Sequence, residues 1–225
     1  MAAVSVEVID RPPGFARVGD VVSCLRPLRD VPSRPMKTSL LVVAALMLVT
    51  MAVAARPASA ACDPTPRAGC KLPAVPHKSS LTFFQTGGHD PDDVFTWRWK
   101  AGSQTSVADF GNPPATDYTF CIYDSSPRPQ PVVADSADNP SDWKTKRNGF
   151  SYLVRGEHPL RTARLHAGPD GKANVSAHGN ADTTATLLPF VAPVIVQLQA
   201  SNGQCWETDF AAPSRSNEVA FIAKD

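Results

Sequence analysis

Along residues 94 to 100, Phe95, Trp97 and Trp99 alternate with Thr96, Arg98 and Lys100. A period of two places the rings on one face of a half-buried strand and the polar groups on the other. Similar short runs recur along the chain, rich in Thr, Val, Phe, Tyr and Trp and punctuated by Pro, Gly, Asn and Asp. Residues 79 to 85 form the first, and residues 118 to 124, apolar on both faces, are expected in the middle of a sheet. Residues 150 to 154 and 161 to 166 follow as strands. Gly168-Pro169-Asp170-Gly171 then makes a turn, and residues 173 to 177 return as a hairpin. Residues 194 to 199 and 205 to 210 flank Ser201-Asn202-Gly203 as a second hairpin, and residues 218 to 223 end the series. Nothing shows the sustained apolar stripe of an amphipathic helix. The pattern predicts an all-β domain, an antiparallel, jelly-roll-like β-sandwich of about eight or nine short strands.

Residues 36 to 60 read differently. Lys37, an uncharged apolar run from 40 to 55 and Ala58-Ser59-Ala60 are the basic head, apolar core and small-x-small site of a secretory signal peptide. The run is shorter than the ~20 apolar residues that cross a bilayer comfortably. Arg56 and Pro57 follow it, which favours cleavage over a retained signal anchor. Residues 1 to 35 then stand awkwardly ahead of the signal, and a start at Met36 would make them a non-native extension. Ser59-Ala60-Ala61-Cys62 also loosely matches the site where a bacterial lipoprotein is cut and acylated, which gives a lipid-anchored alternative. The expected order is signal peptide 36–60, a disordered or disulfide-looped segment 61–78 and a β-sandwich 79–225. Such a protein is secreted or periplasmic, without a membrane span in its mature part.

Past residue 60 the chain carries 15 Lys and Arg against 17 Asp and Glu, the whole-chain 22 and 21 less the seven and four before that point. This balance gives no reason to expect nucleic acid or an anionic membrane as partner. Lys144, Lys146 and Arg147 are the one basic cluster in the sequence and read as a solvated turn. The same region keeps Cys62, Cys70, Cys121 and Cys205, an even set that suits disulfides in an oxidising compartment. Cys62 and Cys70 bracket the short DPTPRAG, whereas Cys121 and Cys205 lie in strand-like runs. Of the three pairings open to four cysteines, Cys62–Cys70 with Cys121–Cys205 needs the least rearrangement. A zinc site lacks the CxxC or HxxxH spacing it would use.

Candidate chemistry is sparse. Asp109-Phe110-Gly111 matches the magnesium loop of a protein kinase in letters only, since the HRD loop, glycine-rich loop and strand lysine of that enzyme are missing. It reads as a loop entering the strand at 118. Trp97, Trp99 and Trp143 are candidates for stacking on a sugar ring, although filling of the sandwich core is the plainer reading for Trp97, Trp99 and Trp206. Trp143, between Asp142 and Lys144, is the one expected to be exposed. In HDPDDV, residues 89 to 94, the carboxylates of Asp90, Asp92 and Asp93 could share a Ca²⁺, but the loop lacks the glycine and glutamate of an EF-hand. Ca²⁺ is the one cofactor the sequence suggests, and a solvated loop is the plainer reading. Glu207 and Asp209 point the same way from one strand, opposite Trp206 and Phe210, which does not make a glycosidase cleft. The five histidines are scattered, no GxSxG occurs, and disulfides would leave no free thiol, so acyl transfer of a familiar type has no carrier.

Several short motifs occur in a fixed order: WRWKAG at 97–102, DFGNP at 109–113, YTFCIYD at 118–124, GFSY at 149–152, LLP at 187–189, VIVQL at 194–198 and CWE at 205–207. Together they resemble a group of uncharacterised secreted bacterial proteins, over most of residues 79 to 225. Members of that group place a cysteine where this chain has Asp142, so the resemblance implies that one bridge of the group is missing here. It implies location and class and brings no catalytic residue. The expectation is a non-catalytic module binding an extracellular or envelope ligand such as a glycan. An envelope spacer domain, or a secreted hydrolase with an unfamiliar site, is the alternative.

Overall fold

The computed structural model describes residues 62–86, 93–137, 139–156, 158–180 and 187–225. The proposed extension and signal peptide, with Asp90 and Asp92, lie outside them. Twelve strands are described: β1 (Ser80–Phe84), β2 (Val94–Gly102), β3 (Tyr118–Tyr123), β4 (Val133–Ala137), β5 (Trp143–Lys146), β6 (Gly149–Leu153), β7 (Leu160–His166), β8 (Ala173–Asn180), β9 (Val194–Ala200), β10 (Cys205–Phe210), β11 (Arg215–Asn217) and β12 (Ala220–Lys224). They form an eight-stranded sheet in the order β11-β12-β1-β2-β8-β7-β6-β5 and a four-stranded sheet in the order β10-β9-β3-β4. Every strand pairing is antiparallel. The fold is the expected all-β sandwich, and both expected hairpins form as β7–β8 and β9–β10.

The count exceeds the expected eight or nine because β4, β5 and β11 carry too little apolar signal: VADSA, WKTK and RSN. All three are edge strands. An edge needs only one neighbour and tolerates polar residues, so tertiary pairing recruits segments that local preference leaves ambiguous. The central strand is the converse case, since all six residues of β3 are buried.

The core lies between the sheets. Phe95, Trp97 and Trp99 on β2 are fully buried, as their alternation dictates. Phe95 stacks on Phe120 of the facing sheet with centroids 4.5 Å apart, and Trp97 Nε1 donates to Thr208 Oγ1 at 3.2 Å. Burying side chains of this size stabilises by roughly 1.5–3 kcal/mol each. The Trp99 ring covers Gly102, where a Cβ would come within 1.9 Å of ring atoms, so this position has room only for hydrogen. Asp109-Phe110-Gly111 is the loop expected. Phe110 packs on Trp206 at 5.0 Å, its carbonyl accepts from the Tyr118 hydroxyl, and Gly111 takes φ 66°, a conformation that favours glycine.

The cysteines pair differently from the expectation. The bridges are Cys62–Cys121 and Cys70–Cys205, with Cα separations of 5.8 and 4.7 Å. Cys121 on β3 and Cys205 on β10 both flank β9, opposite Gln197 and Gln199 respectively. Two strand spacings, ~10 Å, separate them, which is beyond the reach of a disulfide. Cys62 therefore closes on β3 and Cys70 on β10, and the segment between them lies across β9. The segment expected to be disordered or self-looped is instead a strap on the outer face of the four-stranded sheet. With its Sγ in a bridge, Cys62 also has no thiol to offer for acylation.

Candidate functional site

The tryptophans proposed as a sugar platform are not on the surface. Trp97 and Trp99 are fully buried, and Trp143 is 7% exposed. Pairing of β5 with β6 turns Trp143 inward, where its ring lies 5.1 Å from Tyr118 and 5.2 Å from Tyr152. Lys144 and Lys146, read from sequence as a turn, belong to β5 and point outward from it. Asp93 is likewise buried, and its Oδ1 accepts from the Thr86 N–H at 2.6 Å and the Thr86 hydroxyl at 3.1 Å. Its carboxylate is buried, and Asp90 and Asp92 lie outside the described residues. Among the described residues, no group of three or more His, Cys, Asp or Glu side chains could hold a metal ion.

Two polar clusters are complete in themselves. In the first, the buried Asp124 carboxylate accepts from Arg128 Nη2 at 2.5 Å, the Ser126 hydroxyl at 2.6 Å, Gln130 Nε2 at 2.8 Å and the Val191 N–H at 3.0 Å. Burial opposes its ionisation, but Arg128 and the other donors outweigh that and bring its pKa down to about 2. Arg128 also reaches the carbonyl of Leu187 and lies over the Phe190 ring, so this cluster joins two loops. In the second, burial again opposes ionisation of Asp109, while the Ser106 N–H and Lys71 hold its carboxyl below the usual range. Both clusters fasten loops.

The outer face of the four-stranded sheet is occupied by the strap. Gln197 and Gln199 on β9 are buried beneath it and serve as its ladder. Gln197 Oε1 accepts from the Arg67 N–H at 3.0 Å while Gln197 Nε2 donates to the Arg67 carbonyl at 2.9 Å. Gln199 Oε1 accepts from the Asp63 N–H at 3.2 Å, and the Tyr123 hydroxyl donates to the Asp63 carbonyl at 2.8 Å. Burial lifts the Tyr123 phenol to about 12, so it remains a donor at any physiological pH. Past Cys70 the strap pairs with the β10 edge at Lys71 and then with the end of β2 at Pro73 and Gly102. It thereby links the two sheets.

The outer face of the eight-stranded sheet carries no described element over it. None of its eight strands contains Asp or Glu, yet they contain Arg98, Lys100, Lys144, Lys146, Arg161, Arg164, Arg215 and Lys224. The four-stranded sheet is the reverse, with Asp135, Glu207 and Asp209 and neither Lys nor Arg. The register sets the outward residues in rows across the strands. One row runs Lys224, Ser80, Arg98, Ser176, Arg164, Ser151, Lys144, so that cations and serines alternate from strand to strand. Arg98, Arg164, Lys144 and Lys224 are exposed and form no ion pair among the described residues. Beside the row lie two shallow grooves. One, of 260 Å³, is bounded by Arg98, Lys100, Arg164, His166, Asn174 and Ser176, and the other, of 400 Å³, by Lys146, Ser151, Thr162, Arg164 and His166. Arg164 and His166 line both.

Sequence reasoning did not bring these residues together because the four cations of the row are 20 to 126 positions apart along the chain, and only the register assembles them. The signal available was their place at the polar positions of alternating strands, for Arg98 and Lys100 above all. Fold and disulfides together define a disulfide-bonded β-sandwich with one basic, exposed sheet face. Comparison with models of protein families, with curated proteins and with solved structures finds no match to this chain.

Proposed function

We propose that the protein is an exported, non-catalytic binding module for an envelope or extracellular ligand such as a glycan, and that it binds on the outer face of the eight-stranded sheet. The observation that supports this reading is the segregation of charge between the sheets. A sheet with eight Lys and Arg and no carboxylate in its strands repels itself, which a purely structural face would avoid. The two disulfides agree with an oxidising compartment. No described helix is long and apolar enough to cross a membrane. A glycoside hydrolase of the usual two-carboxyl kind would need a second carboxyl across a cleft from Glu207. Glu207 instead accepts from Gln197 Nε2 beneath the strap.

The test is a glycan array probed with the oxidised protein, alongside Arg98→Glu with Arg164→Glu and, on the opposite sheet, Asp209→Lys. Binding should disappear with the first pair and persist with the second. Binding that survives reversal of both arginines would refute this face, and release of new reducing ends from a bound glycan would replace the module with an enzyme.

A further inference from the structure

The row of cations has a repeat. Lys224, Arg98, Arg164 and Lys144 stand on alternate strands of one continuous sheet, with Ser80, Ser176 and Ser151 on the strands between. Neighbouring strands are ~4.8 Å apart, so successive cations are ~10 Å apart and the row spans on the order of 30 Å. The two arginines hold the centre and the two lysines the ends. A guanidinium presents a planar fork that takes a carboxylate through two parallel hydrogen bonds, whereas an ammonium is a point charge. The serine hydroxyls between them both donate and accept, which suits the hydroxyl groups of a sugar.

Charge complementarity narrows the occupant. A ligand lying along this row has an anion about every 10 Å and hydroxyls in the intervals, a length close to one disaccharide of an extended chain. Each strand of a duplex carries a charge every ~3.4 Å of helix axis, and a single strand gains affinity by stacking its bases on exposed aromatic rings. Here every tryptophan is buried, and among the described residues Phe84 is the one exposed aromatic side chain, too few for a stacking platform. A rigid duplex would have to follow a sheet whose strands turn by ~20° from one to the next, which a chain of rotatable glycosidic linkages does readily. A membrane would need a contiguous apolar patch. The exposed apolar residues Phe84 on β1 and Leu153 on β6 are separated by β2, β8 and β7.

From this we infer that the ligand is an extended acidic polysaccharide with one carboxylate per disaccharide, held across the strands along the row from Lys224 to Lys144. The inference rests on the proposed binding face and names its ligand class. Arg98 and Arg164 clamp two successive carboxylates, and Lys144 and Lys224 take the next one on either side.

The experiment is a calorimetric titration of the oxidised full-length protein at low salt. The probes are a length series of alternating uronate–hexosamine oligosaccharides, a neutral glucan, a contiguous polyuronate, a single-stranded oligonucleotide and phosphatidylglycerol vesicles. Affinity for the alternating series should rise with length and level off at about eight sugars, the shortest even length that carries four uronates for the four cations spaced along ~30 Å of row. Arg98→Ala with Arg164→Ala should weaken it at least about tenfold at unchanged thermal stability, and Glu207→Gln on the other sheet should leave it unchanged. Binding that depends on both arginines but favours the oligonucleotide or vesicles retains the face and overturns the polysaccharide. Equal affinity for contiguous polyuronate at every length overturns the disaccharide repeat. Uronate binding that the arginine variant keeps, or equal binding of neutral glucan, overturns the row. Absence of binding to every probe overturns both the ligand and the face.

Discussion

The two sheets have opposite outer surfaces. The four-stranded sheet has its outer face bridged by two disulfides, bonded through Gln197 and Gln199 to the strap, and its strands contain acidic residues but no basic ones. The eight-stranded sheet has its outer face exposed and basic, with Ser80, Ser176 and Ser151 at the positions between the cations of the row. Stabilising interactions are concentrated on the first face and uncompensated charge on the second. The difference teaches that a sandwich can separate the two tasks: a covered face that holds the fold, and a bare one whose charges can change with little effect on stability.

The comparison is broken most severely by removing a bridge. Cys70→Ala with Cys205→Ala frees a closed loop with a sequence separation of 135 and detaches the end of the strap. Chain-entropy reasoning gives a loss of roughly 4–5 kcal/mol, read as a lower urea midpoint. Peptide mapping of the unreduced protein checks the premise, because a Cys62–Cys70 fragment would refute the strap. Next in size is Arg128→Ala, which leaves the buried Asp124 carboxylate without its cation and should cost about 3 kcal/mol.

The same carboxylate sets an acid limb. Its folded pKa of about 2 lies below the ordinary 3.8, so its contribution is complete above pH ~4 and fades as the pH falls through ~2. The amount is on the order of 2 kcal/mol, and urea midpoints taken across that window should show the decline in the wild type and a smaller decline in Asp124→Asn. Gly102→Ala, at the point where the strap meets the larger sheet, forces a methyl against the Trp99 ring and should cost about 1–3 kcal/mol by thermal melting. Smallest is Arg98→Ala with Arg164→Ala, expected to stay within ~0.5 kcal/mol of the parent, since neither side chain has an ion-pair partner among the described residues. A large loss there would show that the basic face also carries the fold.

Legibility in the sequence followed burial. The alternation of Phe95, Trp97 and Trp99, the all-apolar β3 and the two glycine-containing turns were readable because each is a local pattern imposed by the pleat and by backbone sterics. Trp143 was misread as exposed because its charged neighbours, Asp142 and Lys144, describe an edge strand as well as they describe a loop. The burial of Asp93 was illegible for a related reason, since the letters do not say that the Thr86 N–H donates to that carboxylate at 2.6 Å in the interior. Of the basic face, only Arg98 and Lys100 could be placed on a polar strand face beforehand. The rest depended on which strands lie side by side.

By itself, then, the sequence determined the all-β class, most of the strands, the aromatic core and an even set of cysteines suited to bridging, because periodicity and turn chemistry act over a few residues. Tertiary structure decided which cysteines meet, which tryptophans are hidden and which cations share a row. Those depend on strand order and register across 59 to 135 residues of chain in the case of the disulfides. Placing β9 between β3 and β10 keeps Cys121 and Cys205 apart, and placing β2, β8, β7 and β6 side by side brings Arg98, Ser176, Arg164 and Ser151 together.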